Sequence, residues 1–174
     1  MLIRKAAAAD ATAIAAIAES VRYRKGEADP NRGYLVFVGT FEEYSARLSG
    51  NNTSYVAELN GDVVAFLLTS YSSEDTATHT EGAEVMELIF GKGALLVDQI
   101  GVSPMARGQG AAPLLFERML ADLQPNRITA CIMHQPLRNE RSIGFFTGRF
   151  GFHCIAEYHE GDGFLWGIYE RLIL

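Results

Sequence analysis

The chain has 174 residues, of which 48% are hydrophobic and 21% are charged, and its formal net charge at pH 7 is −6. This composition excludes an intrinsically disordered chain, and the length fits a single domain over residues 1–174 with a sizeable core. Together with a pI near 5.2, the net charge also argues against nucleic-acid binding, which needs a surface rich in lysine and arginine.

The amino terminus and the apolar runs indicate neither export nor membrane insertion. An alanine-rich stretch follows Arg4 and Lys5, but Asp10 and Thr12 interrupt it and Glu19 follows, so no signal peptide is expected. No apolar run reaches the roughly 18 residues that a membrane-spanning helix needs. We therefore expect a cytoplasmic protein with no membrane or nucleic-acid partner.

Two cysteines, Cys131 and Cys154, lie in the apolar, strand-like runs ITACIM and FHCIAE. Cysteines in such runs are usually buried and reduced, so we expect two buried thiols, with a disulfide or a reactive thiol as the alternatives. Neither has a second ligand at the spacing of a metal site, and the four histidines do not cluster. The sequence therefore predicts no metal site.

The amino-terminal segment predicts a strand followed by a helix. LIRKA, residues 2–6, has the pattern of a short strand. We expect Asp10 to cap a helix, because the apolar residues after it have the i, i+3, i+4, i+7 spacing of one helical face. These apolar residues are Ile14, Ile17, Ala18 and Val21.

A charged loop and a second helix come next. Residues 22–33, RYRKGEADPNRG, contain glycine and proline and are long enough to form a lid over a binding site. Thr40 is expected to cap the short helix FEEYSARLS, which Gly50 ends.

The clearest hairpin joins Tyr55–Leu59 to Val63–Leu68. Asn60-Gly61 lies between them, and a type I′ turn favours this pair because both of its central residues need a positive φ. The segment 71–93 that follows is polar and contains one helical stretch, EVMELIF.

The second half of the chain alternates strands and helices. ALLVDQIGV, residues 94–102, is apolar apart from one aspartate and one glutamine, so we expect a strand at the centre of the sheet. Helices at 113–123 and 139–150 flank a second buried strand at 127–133. GFHCIAEYH and FLWGIYERLI form a closing antiparallel hairpin.

A helical connection between two neighbouring buried strands makes them parallel. The sequence therefore predicts an α/β fold with one mixed, mostly antiparallel and twisted sheet of six to seven strands and about four helices. The strands at 94–102 and 127–133 would be its parallel pair.

Residues 107–115, RGQGAAPLL, place two glycines and two alanines at the start of a helix. Backbone N–H groups at a helix amino terminus have no partners, and small side chains let an anion approach them closely. Arg107 adds a positive charge suited to phosphate. The motif lacks the Gly-Lys-Ser/Thr of a Walker A loop and the acidic partner of a dinucleotide-binding GxGxxG. It predicts an anion site of another kind, with an ordinary glycine turn as the alternative.

Two motifs, in this order, resemble the acyl-coenzyme A signature of the GNAT superfamily of N-acyltransferases. VSPMARGQGAA, residues 102–112, has Arg107, Gly110 and Ala112 at the three fixed positions of Arg/Gln-x-x-Gly-x-Gly/Ala. NERSIGFF, residues 139–146, followed by Gly151-Phe152, resembles Asn-x-x-Ala/Ser-Ile-x-Phe-Tyr followed by Gly-Phe. The likeness extends over most of the chain and implies the GNAT fold, whose central parallel strands splay apart.

The resemblance implies acetyl-coenzyme A as the acyl donor and indicates the residues that would hold it. The pyrophosphate would lie on the amides of the glycine loop, and the pantetheine arm would run along the strand 94–102 beside the strand 127–133. Asn139 would hydrogen-bond the arm, and Ile143 and Phe146 would wall it. The loop and strand residues are Arg107, Gly108, Gln109, Gly110, Ala111 and Ala112, and Ile100, Gly101 and Val102, where Gly101 would allow close approach.

Acyl transfer to an amine needs a neutral nucleophile, a stabilised oxyanion and a proton for the leaving thiolate. The family often has its proton-accepting carboxylate on the fourth strand, where Asp98 is the acid of this chain. With period 2, Asp98 would share a face with Ile100 and Val102, either of whose amides would be the oxyanion donor. A bond to a neighbouring loop is the structural alternative for Asp98, and Glu84 and Glu87 are the next candidates for the base.

The general acid is where this sequence departs from the family, which usually carries a tyrosine in the second motif. Counted from Asn139 that position is Phe146, and counted back from Gly151 it is Thr147, because the segment is one residue longer. Phenylalanine donates no proton and threonine is a poor acid. The substitute candidates for the acid are Tyr158 and His134.

The sequence therefore predicts an N-acetyltransferase that acts on a primary amine of a small molecule or peptide. The alternatives are a catalytically degenerate coenzyme A-binding regulatory module, and an enzyme with an O-acyl acceptor or a longer-chain donor. We expect 22–33, 71–93 and the closing hairpin to line the acceptor pocket. The acidic residues at 74–87 suggest a cationic amine, although a run of this kind is more often an ordinary solvated face. The apolar strand FLWGIY suggests an exposed edge that pairs in a homodimer.

Overall fold

The computed structural model describes residues 1–50, 53–71, 82–161 and 163–173. Seven strands form one sheet in the order β1-β2-β3-β4-β5-β7-β6. All neighbouring strands are antiparallel except β4 and β5, so the predicted mixed, mostly antiparallel sheet is confirmed. The strands are β1 (Leu2–Lys5), β2 (Tyr55–Leu59), β3 (Asp62–Ser70), β4 (Leu95–Val102), β5 (Arg127–Gln135), β6 (His153–His159) and β7 (Leu165–Leu172).

Five α-helices in the described residues cover the two faces of the sheet. They are α1 (Ala11–Ser20), α2 (Phe41–Leu48), α3 (Ala83–Phe90), α4 (Ala111–Leu123) and α5 (Glu140–Ile143), which continues as a π-helical segment, Gly144–Arg149. On the face that we call the α4 face, Phe116 and Phe146 belong to the largest core cluster. On the opposite face, the α2 face, α1 and α2 pack through Ile14 and Tyr44, and α3 packs through Ile89.

The parallel strands separate soon after they begin. β4 and β5 pair only between Leu95–Val97 and Ile128–Ala130. β4 then continues to Val102 against β3, and β5 continues to Gln135 against β7. The predicted splay of the central pair is confirmed, and it leaves one edge of β4 facing a gap.

A β-bulge at Asp98 changes the face on which this residue lies. The register between β3 and β4 shifts between Val97 and Gln99, which leaves Asp98 as the extra residue. As a result, Val97 and Ile100 both contact the α4-face cluster although they are three residues apart. Asp98 reaches Arg47 of α2 instead. The prediction that Asp98 shares a face with Ile100 and Val102 is wrong, because the bulge breaks the alternation of side chains along the strand.

The predicted helix caps had different outcomes. Thr40 caps α2 as predicted: its Oγ1 accepts from the Glu43 amide at 3.2 Å, and the Glu43 carboxylate accepts from the Thr40 amide at 2.7 Å. Asp10 makes no side-chain cap to α1, because a 3₁₀ turn at Ala8–Asp10 precedes the helix. Its carboxylate accepts from the Ala7 amide at 2.8 Å and from two nitrogens of Arg4 at 2.7 Å.

The predicted turn at Asn60-Gly61 is confirmed by φ values of 56° and 93°. The closing strand, however, is not an edge, because β7 pairs with β5 on one side and with β6 on the other. The premise of a homodimer through FLWGIY is therefore wrong, since the edges of the sheet are β1 and β6.

Cys154 lies on the edge strand β6 and is exposed, contrary to its predicted burial, whereas Cys131 is half-buried.

Candidate active site

The loop between β4 and α4 presents backbone N–H groups without partners. Gly108 and Gly110 have φ values of 78° and 79°, a conformation that favours glycine. Gly110 directly precedes α4, which begins two residues earlier than predicted. Of the amides in this loop, that of Gln109 donates to Ala106 O at 3.4 Å. The amides that donate to no group within the described residues belong to Arg107, Gly108, Gly110, Ala111 and Ala112.

Beside this loop lies a groove of about 700 Å³, which we call the arginine groove. Its lining includes Ile100–Val102, at the edge of β4 that faces the gap, and Ser142 and Phe145 from the second motif. One lining residue, Glu140, is acidic, and four are arginines: Arg32, Arg107, Arg141 and Arg149. In a chain with a net charge of −6, this local excess of positive charge suits a polyanionic ligand.

The four arginines differ in their existing partners. Arg32 pairs with Asp29 at 3.4 Å, and Arg149 pairs with Glu117 at 3.3 Å. Neither Arg107 nor Arg141 forms an ion pair with any residue of the described ranges. The predicted phosphate partner, Arg107, therefore has its charge available at the mouth of the glycine loop.

A second space, of about 70 Å³, lies in the gap between β4 and β5, and we call it the splay cavity. Ile100, Tyr34 and Ser142 line both the splay cavity and the arginine groove, so the two spaces adjoin. Aromatic side chains form part of the wall, and among them Phe37 stacks on Trp166 with ring centroids 5.7 Å apart and 15° between the planes. The remaining aromatic lining residues are Phe146 and Tyr158.

Asp98 is the acidic residue in the lining of the splay cavity, within the described part of the chain. Arg47 Nη1 donates to its Oδ2 at 2.5 Å, and the Arg47 and Asp98 side chains are only 9% and 7% exposed. α2 positions Arg47, and the Thr40 cap fixes the start of α2. The structural alternative for Asp98, a bond to a neighbouring segment, is therefore present, and it coexists with a position in the cavity wall.

Tyr158 and Cys131 lie together in the splay cavity. Burial, followed by the charges of Asp98 and Glu160, raises the pKa of the Cys131 thiol to about 12, against a hydrogen bond with Tyr158 that lowers it. At neutral pH this thiol is protonated and is not a nucleophile. Tyr158 is the only candidate general acid with an ionisable proton that the structure places in this cavity, among the residues it describes.

The positions of Thr147 and His134 do not support catalytic roles. Thr147 Oγ1 donates to the carbonyl of Ile143 at 2.8 Å, within the helix. The ring nitrogens of His134 contact Glu157 Oε1 at 2.5 Å and the Tyr169 hydroxyl at 2.9 Å. Neither Thr147 nor His134 is among the described residues that line the splay cavity.

The extra residue of the second motif is accommodated by the π-helical segment Gly144–Arg149, in which the backbone takes up one more residue per turn. Phe146 lies in this segment, lines the splay cavity and is 3% exposed. It packs edge-on against Phe152 with ring centroids 5.0 Å apart. The residue of this motif that faces the splay cavity is therefore a phenylalanine, which forms part of the wall and donates no proton. Ile143 packs against the α4-face cluster.

Gly101 and Asn139 each have a structural role that does not depend on a bound ligand. A Cβ at Gly101 would lie 2.5 Å from the Phe66 ring, so the glycine makes room for the core of the α2 face. Asn139 lines the splay cavity, but its Nδ2 donates to Tyr34 O at 3.0 Å and its Oδ1 accepts from the Ser142 amide at 3.3 Å. Its bond to a pantetheine arm stays a prediction.

The segments predicted to line the acceptor pocket have different positions. Residues 31–33 of the predicted lid line the arginine groove, whereas residues 34–37 line the splay cavity. Glu84 and Glu87 are exposed on α3 and line neither space. The acidic residues at 74, 75 and 81 lie outside the described residues.

Sequence reasoning missed several residues that shape the splay cavity. Tyr44 OH donates to Gln99 Oε1 at 3.0 Å, and Gln99 Nε2 donates to Phe37 O at 3.0 Å, so Gln99 fixes Phe37 beside Trp166. No motif connects these residues with Arg47, because they come from distant segments. The one available signal was Gln99, a polar residue beside Asp98 in an otherwise apolar strand.

Comparison with known proteins identifies the family to which this arrangement belongs. The profile described as the acetyltransferase (GNAT) family matches residues 14–152. The chain belongs to the GNAT acetyltransferase family. The predicted enzyme class, N-acetyltransferase, is confirmed by this match.

Solved structures share the fold of this GNAT chain. The ribosomal-protein-S18-alanine N-acetyltransferase from Escherichia coli has a TM-score of 0.68 at 15% identity, over 99% of this chain and 93% of that chain. Diaminobutyrate acetyltransferase EctA from Paenibacillus lautus, with L-2,4-diaminobutyric acid and coenzyme A, has a TM-score of 0.64 at 18% identity, over 97% and 92%. GphF, a GNAT-like decarboxylase in complex with isobutyryl-CoA, has a TM-score of 0.63 at 16% identity, over 99% of both chains. A search of curated protein sequences found no match.

These likenesses show the fold of the GNAT chain, and one fold can host several chemistries. Its described residues contain no group of three histidine, cysteine or acidic side chains arranged to hold a metal ion. In the same ranges, no helix has the length and hydropathy that crossing a membrane requires.

Proposed function

We propose that this protein transfers the acetyl group of acetyl-coenzyme A to a primary amine of a small molecule or peptide, in the cytoplasm, by direct attack of the amine on the thioester. The observation that carries the proposal is that the arginine groove and the splay cavity adjoin at Ile100. The groove suits a long polyanionic donor, and the cavity suits the reacting end of an amine.

The residues present fit coenzyme A. Five unpartnered amides and Arg107 would hold its pyrophosphate at the positive end of α4. The edge of β4 beyond Val97, which faces the gap, would bond the amides of the pantetheine arm. Acetyl-coenzyme A supplies an activated acyl group when bound. The coenzyme A complexes of structures with this fold support the assignment.

Asp98 would accept the proton of the attacking amine, directly or through a water molecule, because it is the acidic residue that the described lining of the splay cavity contains. A lysine-like amine with a pKa of about 10.4 is neutral in roughly one molecule in 2,500 at pH 7, at a cost of about 4–5 kcal/mol. An α-amine with a pKa near 8 costs about 1 kcal/mol. Arg47 holds the carboxylate in position.

The remaining groups would act on the carbonyl and on the leaving thiolate. The amide of Ile100 or Val102 would stabilise the oxyanion while the C–N bond forms and the C–S bond breaks. Tyr158 is the candidate that would return a proton to the thiolate. Cys131, whose thiol pKa is raised to about 12, is not suited to form an acyl-enzyme, which supports direct attack.

The test is the release of free thiol from acetyl-coenzyme A with a panel of amino acids, peptides, polyamines and aminoglycosides. Asp98→Asn is expected to lower kcat by about a hundredfold or more with unchanged affinity for acetyl-coenzyme A. Asp122→Asn is the matched control, because Asp122 is an exposed carboxylate that also pairs with an arginine, Arg118, at 2.8 Å. An unchanged kcat in Asp98→Asn would remove Asp98 from the mechanism.

The alternative, a coenzyme A-binding module without catalysis, is favoured by one observation: Phe146 occupies the cavity-facing position of the second motif. The same panel separates the two functions. Binding of acetyl-coenzyme A without thiol release from any amine would establish the module and overturn the proposed transfer.

A further inference from the structure

Trp166 brings a buried hydrogen-bond donor to the wall of the splay cavity. It is the single tryptophan of the chain, is 6% exposed and lines the cavity from β7. Its Nε1 is buried and donates to no group among the residues that the structure describes. Buried N–H groups in folded proteins nearly always have a partner. The unsatisfied donor of this cavity-lining residue is therefore a candidate hydrogen-bond site for a ligand that enters the cavity.

The indole ring is held on both sides. Phe37 stacks on it at 5.7 Å, and Phe164 packs edge-on against it at 6.3 Å and 86°. Trp166 also lies opposite Met133 of β5 and Tyr158 of β6 in the sheet. This packing presents the donor in one orientation, as a specificity contact requires.

The size of the cavity limits how far the amine lies from the atom that Trp166 binds. A cavity of about 70 Å³ holds only a small part of a ligand. Asp98, the proposed proton acceptor, lines the same cavity. A ligand that reaches both Asp98 and Trp166 therefore carries its amine and its oxygen only a few bonds apart. An α-amino carbonyl unit has this spacing.

The ion pair of Asp98 independently favours an α-amine. Arg47 Nη1 already donates to Oδ2 of this carboxylate at 2.5 Å, so one of its two oxygens is engaged before an amine arrives. At pH 7, roughly one α-amine in ten is neutral, against roughly one lysine-like amine in 2,500. An acceptor with an α-amine therefore depends less on Asp98 as a proton acceptor, because more of the amine is already neutral.

We infer that the acceptor is an α-amino carbonyl compound, an amino-acid amide or a peptide amino terminus, whose carbonyl oxygen accepts a hydrogen bond from Trp166 Nε1. The inference rests on the proposed function in one respect, namely that the amine points toward Asp98. The contact with Trp166 itself does not require turnover, so binding and catalysis test the two proposals separately.

The first experiment uses the fluorescence of the single tryptophan, excited at 295 nm, in the wild-type protein saturated with coenzyme A. The probes are L-alaninamide and 3-methylbutan-2-amine, which have the same number of non-hydrogen atoms and differ in the amide group. L-Alaninamide is expected to change the emission in a saturable way, with a half-saturation concentration about tenfold lower than that of 3-methylbutan-2-amine.

The second experiment measures the affinity of both probes by calorimetry in the wild type and in Trp166→Phe, which keeps an aromatic wall and removes the N–H. The roughly tenfold preference for L-alaninamide is expected to fall to about one in the variant. Comparing this ratio between the two proteins cancels the difference in amine pKa between the probes. The affinity for coenzyme A reports on the folding of the variant and is expected to stay unchanged.

Equal half-saturation for the two probes in the wild type would overturn the inference, as would no saturable change with either probe while coenzyme A binds. A preference that persists in Trp166→Phe would also overturn it. If the variant loses coenzyme A binding, the wild-type titration alone decides.

Thiol release from acetyl-coenzyme A is measured with the same two probes. Selective binding of L-alaninamide without thiol release would refute the proposed acetyl transfer and leave the Trp166 contact standing. Equal kcat/KM for both amines would support the transfer and refute the contact.

Discussion

The arginine groove and the splay cavity adjoin at Ile100 but are built in different ways. The end of the groove that we propose to bind phosphate is made of backbone amides in one continuous loop, Arg107–Ala112. The cavity is made of side chains that arrive from separate elements, such as Phe37, Asp98 and Trp166. A backbone site depends on local conformation, whereas a side-chain site depends on packing between distant segments. The two sites should therefore respond differently to substitution.

The largest effect is expected from removing the partner of Asp98. Arg47→Met leaves a carboxylate that is 7% exposed without its cation, and such a loss lowers the free energy of unfolding by about 3–5 kcal/mol. Urea unfolding followed by circular dichroism measures it. Arg118→Met is the control, because the Arg118–Asp122 pair is exposed on α4 and its loss should leave the free energy of unfolding nearly unchanged. Equal losses in the two variants would contradict the importance of the buried pair.

The next effect concerns the backbone of the arginine groove. Gly110→Val forces a β-branched residue to a φ of 79° at the start of α4, with a strain of about 1–3 kcal/mol. The affinity for coenzyme A, measured by calorimetry, is expected to fall by about tenfold or more, since the loop relaxes away from its amide arrangement. Gly148→Ala is the control, because a Cβ there meets no atom within 4 Å and its φ is not positive. An unchanged affinity in Gly110→Val would show that the amides do not bind the donor.

A smaller effect is expected from the charge at the same loop. Arg107→Ala should weaken coenzyme A binding about tenfold at low ionic strength, and the difference should shrink as salt is added. Arg118→Ala removes an exposed arginine from the same helix and should leave the affinity unchanged. A loss in Arg107→Ala that is independent of salt would point to misfolding of the loop rather than to a lost phosphate contact.

The smallest effect is expected at Cys131. Because the pKa of its thiol is raised to about 12, only roughly one molecule in ten thousand carries the thiolate at pH 8. As long as the pH stays below this pKa, the thiolate fraction increases tenfold for each unit by which the pH is raised. Cys131→Ala should therefore keep kcat within about threefold, as should the control Cys154→Ala. Mass spectrometry of the native protein treated with iodoacetamide should show the exposed Cys154 modified before Cys131. A hundredfold loss of kcat in Cys131→Ala would indicate a covalent mechanism.

Much of the fold follows from local patterns. Thr40 and Asn60-Gly61 do what their residue types predict, because a helix cap and a tight turn involve only neighbouring residues. The apolar run at 94–102 is the central strand β4, as predicted, and the glycine loop after it borders a groove. The helix cap at Asp10 failed because a 3₁₀ turn precedes α1, and the Asp10 carboxylate accepts from Arg4 instead.

The errors at the site have a common physical cause in non-local pairing. The face of Asp98 depends on a bulge that arises where β4 pairs with β3, and strand alternation alone does not show it. The edge character of FLWGIY depends on where β5 and β6 lie, and both flank it. The sequence left the tyrosine position of the family open between Phe146 and Thr147, because the extra residue is absorbed by a π-helical turn, which decides the side that each residue faces.

The sequence by itself indicated the family and the proposed donor site, since glycine, small residues and arginine at a helix start define a backbone surface within a few positions. Only the tertiary structure decided which residues form the proposed acceptor site. It joined Asp98 to Arg47, which lies 51 residues away, and placed Trp166 in the wall of the splay cavity. Local residue order specifies conformation over one or two turns, whereas the chemistry of a side-chain cavity depends on which distant segments pack together.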